Sequence, residues 1–163
     1  VIDDGQGIRT MADLYDRLKD SDIDLVLLDS ADDLQPTRSY TKSYEVYKEL
    51  YRDLRIDLCG GLGLPVWTTA QLNREAVERA KVSLKHIGDS YAKAQRAHLV
   101  LAMSQTPQER EQLLAPVVKL WVLKDTEHGS KGKWSPHACM FGRGSRGWPG
   151  FRPVPNYAEL MEE

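Results

Sequence analysis

At 163 residues and 18.5 kDa the chain has the size of one domain, with enough length for a sizeable core. Its 41% hydrophobic and 28% charged residues are ordinary for a globular protein, and no apolar run approaches the roughly 20 residues that span a bilayer. A net charge of −2 excludes a strongly basic nucleic-acid coat; two cysteines, Cys59 and Cys139, exclude a disulfide framework and make a reducing cytoplasm the default.

The small net charge hides an asymmetry. Residues 1–35 carry ten aspartates against three bases, net −7, while residues 36–163 carry nineteen bases against fourteen acids, net +5. A polyanion, if one binds, is expected on the later two-thirds.

In chain order, Val1-Ile2-Asp3 reads as the tail of a strand. Met11, Leu14, Tyr15 and Leu18 keep helical spacing behind Thr10 as N-cap. Ile23 to Asp29 has the form of a buried parallel strand. After Gln35-Pro36-Thr37, a long helix from about Thr41 carries the stripe Tyr44, Tyr47, Leu50, Tyr51, Leu54 and Leu58, and Gly60-Gly61 closes it. Leu64 to Thr69 is a second strand, followed by a polar arm to Lys85. A helix over Ser90–Arg96 precedes the strand Leu99–Met103, and a short helix from Pro107 to Leu114 precedes the strand Val117–Leu123. A turn with Gly129 and Gly132 leads to a last strand from Trp134, and the Pro-rich tail after Trp148 is the one stretch with linker character. Strand–helix alternation predicts an α/β fold with a mostly parallel sheet, and the closing hairpin predicts an antiparallel edge.

Two words in this pattern carry chemistry. The run Asp24-Leu25-Val26-Leu27-Leu28 ends in Asp29-Ser30, and the run Leu64-Pro65-Val66-Trp67 leads to Gln71-Leu72-Asn73-Arg74. Ligands of open α/β sheets bind outside the carboxyl ends of the strands, so Asp29 and Gln71 are expected to face one site. A carboxylate there suits Mg²⁺, a hard cation that keeps several waters, and a neutral amide beside it can sense a phosphate. Taken alone, Asp29 also fits a helix N-cap or a loop anchor. Arg74, Arg79, Lys81 and Lys85 follow Gln71 on the arm, where residues 73–85 net only +2; they fit either a solvated surface or a track for single-stranded DNA. The histidines His86, His98, His128 and His137 lack zinc-site spacing and are read as surface or packing residues. The tryptophans and the tyrosine stripe are read as core.

The phosphate-binding word G-x-x-x-x-G-K-[ST] is missing. Around Gly129-Ser130-Lys131-Gly132-Lys133-Trp134 the nearest candidate fails, because Glu127 stands where the first Gly is needed and Trp134 where the hydroxyl is needed. With no initiator Met and a strand-like opening, the expected explanation is truncation, with the P-loop strand and helix before Val1.

From Asp3 to about Gly147 the chain resembles the later part of the RecA-like motor domain of DnaB-type replicative helicases and their phage relatives. The resemblance rests on Ile23–Asp29 as the Walker B strand, on Ala70-Gln71-Leu72-Asn73-Arg74 after the next strand, on the acids and bases Glu75, Glu78 and Arg79, and on a terminal strand with Lys124 followed by Gly129 and Gly132. It implies that 1–150 is the C-terminal portion of a RecA-like ATPase domain of P-loop type, with 151–163 as a tail. It implies ATP and Mg²⁺ as cofactors, Asp29 holding Mg²⁺ through water, Asp29 and Ser30 beside the nucleotide, and Gln71 coupling phosphate state to a DNA-facing arm. It implies Lys124 reaching the nucleotide of a neighbouring subunit in a ring, single-stranded DNA as partner, and no membrane. The catalytic Glu of the family lies upstream of this segment, so the piece by itself is expected to be inactive. Two departures stand out. The family's Lys-x-Arg pair is broken by Thr126, with Arg143 or Arg146 as substitutes, and an arginine finger is worth roughly 10³–10⁵ in rate. His98 stands where the family commonly has Asp. Other readings of the same residues are a recombinase, a KaiC-like regulator, or an interaction module that keeps the fold without the P-loop.

Overall fold

A computed structural model of the chain describes residues 7–36, 38–76, 82–88, 91–107, 117–127, 137–143 and 149–153. These fall into two compact units, one formed by Val1–Gln71 with Ile87–Ala97 and the other by Leu72–His86 with His98–Glu163.

The first unit opens with helix α1 (Met11–Leu18), capped as its sequence predicts. The Thr10 hydroxyl accepts the Asp13 N–H at 3.2 Å, while the Asp13 carboxylate accepts the Thr10 N–H at 2.8 Å. That reciprocal box holds the Asp13 carboxyl below its ordinary range, the side-chain bond from Thr10 being the largest cause. Strand β1 (Val26–Leu28) is shorter than the Ile23–Asp29 run, and it is followed by a single helical turn, Ala31–Asp33.

Helix α2 (Ser43–Asp53) continues without a break into a wider π-helical segment, Leu54–Gly61. The Leu62 N–H reaches back to both the Asp57 and Leu58 carbonyls, which is the five-residue spacing of a π turn. Gly60 and Gly61 lie inside this segment rather than ending it. The residue that ends it is Gly63, at φ +70, where a side chain would be strained and glycine is not. Strand β2 (Val66–Thr68) follows at once and pairs parallel with β1.

The core of this unit is the cluster Met11, Leu14, Leu34, Leu50, Tyr51, Leu54 and Leu58, with Leu28 and Val66 of the two strands packed against it. The β pleat therefore turns Val26, Leu28 and Val66 inward and leaves Leu25, Leu27 and Trp67 on the other face, where Leu27 is 75% exposed. A strand expected to be covered on both faces is thus covered on one among the described residues. The tyrosine stripe divides the same way along α2: Tyr51 is buried, Tyr47 packs at the edge of the core, and Tyr44 is exposed beside Lys42. Helix α3 (Ala92–Arg96) completes the unit and lies against α2, where the Arg55 guanidinium donates to the Arg96 carbonyl.

The second unit is an antiparallel meander of β3 (Leu99–Ser104), β4 (Val117–Asp125), β5 (His137–Arg143) and β6 (Pro149–Pro153), in that order. The expected closing hairpin is there, extended to four strands. A bulge in the pairing of β3 with β4 lies between Val100 and Leu101. Pro149–Pro153 is a strand where the sequence reads as linker; its prolines end an outer strand, the place in a sheet where a missing N–H costs no ladder bond. Trp121 is buried with Val82 and Ala102, and its indole N–H donates to the Ser104 hydroxyl at 2.8 Å. The expected helix from Pro107 to Leu114, the Gly129–Gly132 turn, Trp134 and Trp148 lie outside the described residues apart from Pro107 itself.

Two expected outcomes follow from the first unit. Leu58 is wholly buried at the joint between α1, the π segment and the strands. Leu58→Ala should cost about 2–5 kcal/mol in chemical denaturation, and a cost under about 1 kcal/mol would mean that the site collapses freely. Asp13 and Asp33 both sit below their ordinary value of 3.8, each through bonds from its cap residue. Their native forms bind fewer protons than the unfolded chain, so their stabilisation is complete above that value and is lost as pH falls through the native ones. In an acid titration followed by circular dichroism, Asp13→Asn should show a shallower loss of stability below about pH 4 than the parent. Superimposable acid limbs would count against the capping role.

Candidate functional site

The parallel ladder matches Val26 with Val66, Leu27 with Trp67 and Leu28 with Thr68. One step further on, Asp29 and Thr69 leave the two strands side by side, and the Thr69 hydroxyl donates to Asp29 Oδ1. Gln71 follows two residues later, at the same carboxyl edge. Asp29 and Gln71 are both exposed, so each side chain is open to a ligand from solvent. The sequence did not single out Thr69. Its signal was the equal placement of the two apolar runs, which makes the residue after each run a neighbour of the other.

The turn after Asp29 is fastened from three sides. The Ala31 N–H donates to Thr68 Oγ1 at 2.9 Å, which ties the turn to the end of β2. The Ser30 hydroxyl and N–H both donate to the Asp33 carboxylate, at 2.7 and 3.3 Å, and this draws the Asp33 carboxyl below its ordinary range. Ser30 therefore spends its hydroxyl proton on Asp33 and keeps its oxygen lone pairs. The third fastening is Asp32, whose carboxylate accepts from the Tyr51 hydroxyl at 2.9 Å and the Lys93 ammonium at 2.7 Å.

The arm after Gln71 is closed at its foot. Gly88 donates its N–H to the Gln71 carbonyl at 2.8 Å, and one step outward Asn73 donates to the His86 carbonyl at 2.8 Å. Arg74 and Lys85 stand exposed on one-turn helices, Arg74–Ala76 and Leu84–His86, at the two sides of this foot. Arg79 and Lys81, expected further along the arm, lie outside the described residues. His86 is a packing residue, as expected: its Nδ1 accepts the Ser83 N–H, which leaves Nε2 to carry the ring proton. That Nε2, with Asn73 Oδ1 and Ser83 Oγ, is buried with no hydrogen-bond partner. Each such atom costs roughly 1–3 kcal/mol, so the foot is held closed against a standing penalty.

Lys124 belongs to β4 in the other unit, half-buried and opposite Val100. Thr126 closes back onto the His98 carbonyl through its N–H and its hydroxyl, a local use for the residue that replaces the expected arginine.

The donor set at the carboxyl edge fits a magnesium ion. It offers one exposed carboxylate and the hydroxyl oxygens of Thr69 and Ser30, all hard oxygen ligands. No cluster of three or more His, Cys, Asp or Glu side chains occurs among the described residues, as suits an ion held largely by water and by the phosphates of a ligand rather than by a protein cage. No helix among the described residues is long and apolar enough to cross a membrane.

No protein-family model and no curated protein matches the chain. Solved structures do. The ATPase domain of one DnaB-like replicative helicase superposes with a TM-score of 0.70 at 15% identity, over 90% of this chain and 52% of that one. A structure of a DnaB-like replicative helicase and its interactions with primase superposes with a TM-score of 0.67 at 15% identity, over 83% of this chain and 33% of that one. The chain thus spans about half or less of the solved chains it resembles. Its fold is the RecA-like fold of DnaB-like replicative helicase ATPase domains, as the Walker B and Gln-Leu-Asn-Arg words imply.

Proposed function

We propose that this chain is the later part of the ATP-driven motor of a DnaB-like replicative helicase, the part that reads the nucleotide and passes its state to single-stranded DNA. The observation that carries the reading is the edge at which Asp29 and Gln71 leave two paired parallel strands, with the Thr69 hydroxyl on Asp29 and the basic arm starting one residue after Gln71.

The chemistry of the residues follows. Two like charges about 4 Å apart in a surface environment repel by about 4 kcal/mol, so Asp29 opposes a phosphate unless a cation stands between them. Bound Mg²⁺-ATP supplies that cation and the phosphoryl group that water attacks. Asp29 Oδ1 is occupied by Thr69, which turns the other oxygen toward solvent, where it accepts hydrogen bonds from metal-bound water. Gln71 holds both a donor and an acceptor on one amide, so it orients toward an anion when one is present and relaxes when it leaves. Because its carbonyl holds Gly88, a shift at Gln71 pulls on the foot of the arm. A Lys124 contribution in trans, assembly into a ring and a phage- or plasmid-type setting complete the reading.

The test uses the full-length gene product. Asp29→Asn should lower Mg²⁺-ATP hydrolysis by about a hundredfold or more, the scale of losing one well-placed electrostatic group. Parent-like hydrolysis in that variant would overturn the site. The arm is tested by salt titration of single-strand binding: Arg79→Ala and Lys81→Ala should each flatten the log–log slope by about 0.7. If affinity and slope match the parent in both variants, the DNA path lies elsewhere.

A further inference from the structure

We infer that the buried Asp32–Lys93 ion pair is a latch that holds the turn after Asp29 to the helix after the arm, making Lys93 a positioning residue for the site. The inference about hydrolysis rests on the function proposed above; the inference about position does not.

Three observations lead to it. The Ala31–Asp33 turn has one helical turn and no length with which to hold its own shape, so its geometry is set by what it is tied to. Asp32 uses both carboxylate oxygens, Oδ1 for the Tyr51 hydroxyl and Oδ2 for Lys93, and a carboxylate gripped at both oxygens cannot rotate. Lys93 is the third. Its side chain is 2% exposed, and its ammonium lies 4.1 Å from the centre of the Tyr47 ring.

Desolvating an ammonium and a carboxylate is costly, and a pair of well-packed apolar side chains would hold two helices together at least as firmly. What the apolar pair would not supply is direction. The ion pair, the Tyr51 bond and the ring face together fix where the turn stands relative to α2 and α3, and Asp29 is only three residues from Asp32.

The pair also closes a circuit. From Asp32 the path runs through Ala31 to Thr68 of β2, then along the chain to Gln71, across its bond to Gly88, and along five residues to Lys93. Every link is a hydrogen bond or a short covalent stretch within one compact unit. A movement of Gln71 therefore reaches α3 by way of Gly88, and α3 reports it to the turn beside Asp29 through Lys93. The same path runs in reverse when the arm is engaged.

The experiment is amide hydrogen exchange on the full-length gene product, with hydrolysis measured in parallel with and without single-stranded DNA. The variants are Lys93→Met, Asp32→Asn and, should either single change leave an unstable protein, the apolar pair Asp32→Leu with Lys93→Met. All three should exchange the Ala31 and Gly88 amides about tenfold faster than the parent, while Leu50 and Leu54 of the core keep parental rates, as expected for a local opening rather than global unfolding. The apolar pair should recover the parental thermal midpoint without recovering slow exchange at those two amides. The ratio of DNA-stimulated to unstimulated hydrolysis should fall toward one in every variant. Parental exchange at Ala31 and Gly88 in the apolar pair, or acceleration spread evenly over the unit, overturns the latch and leaves the pair a packing feature. Asp29→Asn separates the two claims: parental hydrolysis there removes the proposed activity, while the exchange rates still decide the latch.

Discussion

The candidate site depends on a parallel ladder of only three residue pairs, Val26–Leu28 against Val66–Thr68. Two strands of that length are not stable alone, so their register is set from outside the ladder. The setting comes from the π segment, which ends at Gly63 immediately before β2 and buries Leu54 and Leu58 against Leu28 and Val66. A slip of one residue would turn Leu27 and Trp67 inward and the two core residues out. The same slip would part Thr69 from Asp29. Core packing and site geometry are thus one constraint, and the edge chemistry inherits its placement from the apolar face beneath it.

Around that ladder the polar side chains act on the loops rather than on the core. Ser30 with Asp33, Ala31 with Thr68, and Asp32 with Tyr51 and Lys93 all converge on the five residues that follow β1. Loops at a strand's carboxyl end carry function because a rigid sheet positions them, yet the loop itself needs ties of its own. Here the ties come from β2, α2 and α3, the elements that surround the edge. The arm on the other side of Gln71 is the opposite case. It is closed by backbone bonds and carries three buried polar atoms without partners, the composition of a segment that can open at modest cost.

Likeness to two solved helicase ATPase structures at 15% identity is a statement about fold. Function needs the site, and the same fold hosts several activities. What tips this chain toward a nucleotide-reading role is the juxtaposition of an exposed carboxylate, a hydroxyl bonded to it and an exposed amide at one edge of the ladder. Hard oxygen donors with room for water suit magnesium and phosphate better than they suit a protein-only metal cage.

Local rules acting over a few residues were readable in the sequence itself. Thr10 three residues before Asp13 specified a capped helix, equal apolar runs specified two strands ending in Asp29 and near Gln71, and the alternation of elements specified an α/β fold. Rules that act across the chain were not. The spacing of Tyr44, Tyr47 and Tyr51 is the same whether a tyrosine is buried or exposed, and only the packing of α2 against the core decided that Tyr51 goes in and Tyr44 stays out. Gly60-Gly61 looked like a helix end because glycine permits one; the wider π turn carried the helix past it to Gly63. Asp32 and Lys93 are 61 positions apart, ordinary charged residues by sequence. Only the fold brings them together, because burial, unlike periodicity, is a property of what stands opposite a side chain and not of its neighbours in the chain.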